Sequence, residues 1–138
     1  MATIAHHYSI HLLGLGAEAT CREAAEMMIE NSVGAAAVHE QGQIIGLVTE
    51  RDLVERIVAT GADGAVPLGD VVRRDLPPVG PRISTEECAE LMRYHCTRHL
   101  LVADGGRVLG IVSMRDVIAL MISEREDMIE QLRGYVYG

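Results

Sequence analysis

An α+β fold assembled from two copies of one unit follows from three features of this 138-residue chain. The sequence matches itself without gaps at an offset of 64, Leu15 lying over Val79, and the match holds for about 44 positions. Within each copy, helical periodicity gives way to short apolar runs separated by a Gly-containing turn, then returns. Apolar residues make up 49% of the chain, enough to bury a core, and 14 glycines serve its turns.

The elements repeat in order. A Ser/Thr-x-x-Glu capping box opens the first helix of each copy, Thr20 to Glu23 and Ser84 to Glu87. Its expected apolar stripe is Ala25, Met28 and Ile29, matched by Ala89 and Met92. Buried strands follow at Ala35 to Val38 and Leu100 to Val102, then the polar turns EQGQ and DGGR. The runs IIGLV and VLGIV close a hairpin in each copy. A second helix carries Leu53, Val54, Ile57 and Val58, with Val117, Ile118, Met121 and Ile122 in the other copy. With a leading strand, each unit reads as βαββα. The divisions are repeat 1 at 1–62, a Gly/Pro-rich connector at 63–69, repeat 2 at 70–122, and a helical extension at 123–138. A short helical turn is expected at Asp70 to Arg73. In the extension, Ile118, Met121, Ile122, Ile129 and Leu132 keep a helical period, which suits either a dimer contact or packing on the unit's own core.

Composition narrows the function. Twelve basic against twenty acidic residues leave a net charge of −8, which argues against a protein living on nucleic-acid phosphates. A small anion needs only a local basic cluster. No apolar run approaches the roughly 20 residues of a membrane span, and the N-terminus does not read as a secretory signal. Three cysteines without CxxC spacing suit reduced thiols. A cytoplasmic location is the expectation.

The candidate site is duplicated: Gly46-Leu-Val-Thr49-Glu-Arg-Asp52 and Gly110-Ile-Val-Ser113-Met-Arg-Asp116. A strand ends, and a hydroxyl and a carboxylate three residues apart open a helix. Free N–H groups at such an end, with Thr49 or Ser113, suit a phosphate. Asp52 or Asp116 suits a pair of ribose hydroxyls. The same spacing also serves as a helix cap with no ligand, and the two readings stay open on spacing alone.

The duplicated pattern resembles a tandem pair of cystathionine-beta-synthase (CBS) domains, with GLVTERDL and GIVSMRDV closing the copies. The stretch STEECAELMRYHCTRHLLVADGGRVLGIVSMRDV is similar to the family pattern almost throughout. The resemblance implies two βαββα repeats packed by their sheets into one pseudo-two-fold module, often paired with a second as a homodimer. It implies clefts between the repeats that bind AMP-, ADP- or ATP-like adenosyl ligands as regulatory ligands, no cofactor being required. Thr49 and Asp52 would serve one cleft, Ser113 and Asp116 the other. By the family's habit of a basic residue before this strand, Arg98 and His99 would meet phosphate in the second copy, with Arg115 within reach. The first copy has Gly34-Ala35-Ala36 there and carries no charge.

The resulting expectation is a regulatory module, not an enzyme, which signals through its own arrangement to a separate target protein. The alternatives are a ligand-free scaffold or interaction dimer, and a sensor of S-adenosylmethionine or NAD(H). No catalytic constellation such as GxSxG, HExxH or a P-loop appears. His95, Cys96 and His99 invite a zinc reading, but a helix end and a strand start split the face they would share, so no metal is expected. His6, His7 and His11 read as a frayed terminus. Cys21 and Cys88 sit in first helical turns, where thiols can be activated.

Overall fold

The computed structural model describes residues 2–137, and the chain divides into two compact units. The first runs from His11 to Pro77; the second joins the stretch ending at Ile10 to the chain from Pro78 onward.

In the first unit, β1 (Gly14–Gly16) lies parallel to β2 (Ala35–Glu40), which pairs antiparallel with β3 (Gln43–Thr49). Helix α1 (Cys21–Asn31) precedes the hairpin, and α2 (Glu50–Leu53) continues as a π turn over Val54–Val58. The second unit repeats this with α3 (Thr85–Tyr94), the antiparallel pair β4 (His99–Asp104) and β5 (Arg107–Ser113), and α4 (Met114–Tyr137). Its leading strand is reduced to one parallel bridge, Val79 to Val102. Both hairpins turn on two residues of positive φ, Gln41 and Gly42 at 52° and 77°, Gly105 and Gly106 at 59° and 78°. That left-handed pair is what a two-residue hairpin turn demands.

The predicted caps form. Thr20 and Glu23 complete a reciprocal capping box on α1, and the Ser84 hydroxyl accepts from the Glu87 N–H on α3. Met28 and Met92 are buried as expected, but the other apolar positions on each face are rotated by one. Cys21, Ala24 and Met28 are buried on α1, while Ala25 is half-buried and Ile29 is exposed. On α3 the buried set is Thr85, Cys88 and Met92, with Ala89 half-buried. Helix α1 thus buries its small side chains, which lets it lie close to Ala36, Val38 and Val48 of the sheet. On the second helices, Leu53, Ile57 and Val117 are buried, whereas Val54, Val58, Ile118 and Ile122 are exposed.

Two further expectations need correction. The short helical turn lies at Leu68–Asp70, while Arg73 is extended and bridges Leu47 of β3. Residues 2–10 are not a frayed terminus. Ile4 is fully buried, Thr3 bridges Ser84, and Ser9 exchanges two 2.9 Å hydrogen bonds with Ile111 of β5. These contacts are the 64-residue counterparts of those made by residues 66–73 in the first unit: Pro67 bridges Thr20, Leu68 is fully buried, and Arg73 bridges Leu47. The segment that leads into each repeat therefore completes the unit built from the other repeat.

Thr85 is sealed from solvent and its hydroxyl has no hydrogen-bond partner among the described residues. An unmet buried hydroxyl costs about 1–3 kcal/mol. Thr85→Val, which keeps the shape, is expected to raise the urea midpoint, consistent with the thiol of Cys21 at the matched position; a lowered midpoint contradicts the account.

Candidate functional site

In the second unit, chain geometry gathers the predicted residues at the start of α4. His99 lies opposite Ser113 in the β4–β5 ladder. The Met114 N–H, first in the helix, donates to the Arg98 carbonyl at 2.8 Å. Arg98 is thereby fixed beside the helix N-terminus, with its side chain exposed. Thr97, a residue that the sequence reading passed over, holds this corner. Its buried hydroxyl donates to the His99 carbonyl at 3.1 Å and accepts from the His99 N–H at 3.3 Å. A Thr two residues before a strand start is a recognisable side-chain turn signal.

The Ser113–Asp116 pair makes the reciprocal bonds of a cap. The Ser113 N–H donates to Asp116 Oδ2 at 2.9 Å, and the Asp116 N–H donates to Ser113 Oγ at 3.1 Å. Thr49 and Asp52 do the same at 2.8 and 3.2 Å, and the Thr49 hydroxyl also donates to Asp52 Oδ2 at 3.0 Å. The capping function is therefore present in both copies. It also uses donors that the sequence reading left open for phosphate. Of the first three N–H groups of α4, Met114's and Asp116's are taken, leaving that of Arg115.

The two copies differ in what surrounds the cap. In the first unit the Glu50 N–H donates to the Gly34 carbonyl at 3.0 Å, so a residue without a side chain stands where Arg98 stands in the second. Asp52 and Thr49 are both 8% exposed, whereas Ser113 and Asp116 are half-buried. Arg51 is engaged with Glu55 at 2.7 Å on the helix surface. The matched pair in the second unit is Arg115 and Ala119, which cannot form that bridge and leaves the Arg115 guanidinium to other anions. Helix length favours the second unit too: α4 spans 24 residues, while α2 spans four before its π turn.

Other candidates are not brought together. An open groove in the first unit is lined by Glu18, Glu40, Asp70 and Arg74 and contains none of the predicted residues; three carboxylates against one guanidinium repel phosphate. Among the described residues, no group of three or more His, Cys, Asp or Glu is placed to hold a metal ion. His95 follows the last residue of α3 as its C-cap and stacks edge-on against Tyr94, while His99 opens β4. Burial pushes the Cys88 thiol up to about 11, and burial followed by the charge of Asp70 raises that of Cys21. Both are shifted against thiolate formation, contrary to the activation their helix positions allow. No helix among the described residues is long and apolar enough to cross a membrane.

Two repeats with this cap-and-hairpin geometry define a class of protein, the tandem CBS pair. The CBS domain model matches residues 10–59 and 68–123, and the chain belongs to the CBS-domain family. It is similar to the CBS domain-containing protein YhcV of Bacillus subtilis, 36% identical over 104 residues that make up 75% of this chain and 74% of that one. It spans less of two other curated relatives, 61% and 52% of their lengths. A solved CBS-domain protein from Burkholderia ambifaria superposes with a TM-score of 0.79 at 30% identity, covering 83% of this chain and 85% of that one. A hexameric CBS-CP12 protein from bloom-forming cyanobacteria gives a TM-score of 0.76 at 25% identity, covering 86% and 70%.

Proposed function

We propose that the chain is a regulatory module whose second unit binds an adenine nucleotide at the start of α4. The observation that carries this reading is the Met114–Arg98 main-chain bond, which anchors the backbone of Arg98, a residue with an exposed side chain, at the N-terminus of a long helix whose first turn holds the half-buried Asp116. Phosphate meets Arg98, His99 and Arg115, with the Arg115 N–H and the Ser113 hydroxyl as neutral donors. The ribose hydroxyls go to Asp116, whose Oδ1 is not used by the cap. The base rests on backbone groups and apolar side chains, so contacts of this kind discriminate weakly among AMP, ADP, ATP, S-adenosylmethionine and NAD(H).

The first unit supports the ligand-free reading: Thr49 and Asp52 are buried, mutually bonded and without a neighbouring cation at the position of Arg98. One nucleotide per chain is the stoichiometry proposed. Binding shifts the population of module or dimer arrangements by the ligand's differential affinity for them, and a separate target protein reads that shift. The hexameric assembly of the CBS-CP12 protein supports self-association of this chain.

A thermal-shift panel with those five ligands tests the reading. A ligand at 100 times its Kd adds about 2.7 kcal/mol. A midpoint that no member raises leaves the scaffold reading; recovery of a chemically altered ligand after incubation makes the protein an enzyme instead.

A further inference from the structure

From Arg125 to Tyr135 every side chain of α4 is exposed. This stretch lies beyond the family match, which ends at residue 123. Three helical turns without tertiary packing are marginal in water, since isolated helices shorter than about 12–15 residues seldom persist. The stretch is nonetheless not a polar one. Ile118, Ile122, Ile129 and Leu132 are exposed at the alternating four-and-three spacing of a coiled-coil seam, and Arg125 occupies the seam's remaining position. Helical geometry puts this seam about 100° around from Val117, the fully buried residue through which α4 packs in its own unit. Met121, Met128 and Tyr135 extend the seam on one flank, and Glu126 and Arg133 line the other.

We propose that the seam is covered by α4 of a second copy of this chain, running antiparallel. Arg125 sets the direction. Parallel pairing in register places Arg125 directly against Arg125 in the middle of an apolar seam, two like charges in one layer. Antiparallel pairing centred on Asp127 sets Ile122 against Leu132 of the second copy and the aliphatic stem of Arg125 against its Ile129. Each guanidinium then reaches Glu126 of the other copy, and Met128 meets Met128 near the axis. A two-fold requires such self-complementarity, and this register supplies it. Glu124, Glu126, Asp127 and Glu130 outnumber Arg125 and Arg133, a balance that disfavours an anionic membrane surface as the occupant. The pairing stands independently of the nucleotide reading.

The test uses the full chain carrying Cys96→Ser, which removes the exposed thiol. Met121→Cys, Met128→Cys and Tyr135→Cys are introduced singly and treated with a short bismaleimide. The antiparallel register predicts that Met128→Cys links to itself, and that Met121→Cys links to Tyr135→Cys only when the two chains are mixed. Like positions at 121 or 135 lie about 20 Å apart in that register. Self-linking at 121 or 135 overturns the direction. Arg125→Glu should weaken self-association at least tenfold in sedimentation, and adding Glu126→Arg should restore it. A monomer at every concentration, or an association constant unmoved by Arg125→Glu, overturns the proposal.

Discussion

Gly110→Ala is expected to destabilise the second unit by about 1–3 kcal/mol, and Gly46→Ala to do the same to the first. A Cβ at Gly110 collides with the Ser9 carbonyl oxygen, with the Tyr8 ring 3.1 Å away behind it; at Gly46 it collides with the Arg73 carbonyl oxygen, with a Val72 methyl at 2.9 Å. In each case the obstacle is backbone, which no rotamer change relieves. The sheet must then release the crossing segment, and with it the two hydrogen bonds of the Ser9–Ile111 or Leu47–Arg73 bridge. Loss of the segment also loosens Ile4 or Leu68, each fully buried. Urea unfolding measures the cost. Amide exchange assigns it: Gly110→Ala should speed exchange at Ser9 and Ile111 and spare Leu47 and Arg73, and Gly46→Ala should do the reverse. An unchanged midpoint in both variants would remove close backbone approach as the reason for the glycines.

These two glycines show where the sequence was readable and where it was not. Their recurrence at one offset was visible, along with the hairpins, the caps and the helix–strand order, because each depends on residues adjacent in the chain. What Gly46 and Gly110 accommodate was not visible. Residues 2–9 and 66–73 play the same structural part with no identical residue between them; the apolar matches Ala2 with Val66, Ile4 with Leu68 and Tyr8 with Val72 are all that link them. Their shared role rests on backbone bridges and one buried position common to both, Ile4 and Leu68, which constrain sequence weakly. Hence the first segment read as frayed, and Arg73 read as part of a helical turn.

The rotated apolar faces have a related cause. Ile29 looked like core by hydrophobicity, yet Ala24 and Cys21 face the sheet, since a helix approaching this closely needs small side chains there. The site was more legible, because Ser113 to Asp116 is a local motif and Arg98 and His99 abut a strand end. Their proximity needed the β4–β5 pairing, which brings residues 98 and 114 together. The fully satisfied cap geometry of Thr49 and Asp52, and the burial that separates them from Ser113 and Asp116, depend on tertiary packing that the matched motifs do not encode.

That difference makes cap and ligand separable by mutation at Asp116 and Arg98. Arg98→Ala removes a charge-assisted bond to phosphate, worth about 1.5–3 kcal/mol, so AMP affinity should fall roughly 10- to 100-fold. Adenosine, lacking phosphate, should bind as before, because the Met114 N–H still finds the backbone carbonyl of residue 98. Equal losses for AMP and adenosine would remove the phosphate role. Asp116→Asn keeps an oxygen for the Ser113 N–H, so the cap and the melting point should hold while AMP and adenosine both weaken through the ribose. Asp116→Ala loses the cap as well and should cost about 1 kcal/mol of stability. In the first unit the order reverses. Asp52→Ala strands the buried Thr49 N–H and hydroxyl and should lower stability by about 1–3 kcal/mol without touching AMP affinity. Isothermal titration beside urea unfolding reads both quantities. AMP affinity that falls with Asp52→Ala and not with Asp116→Asn would move the nucleotide to the other copy.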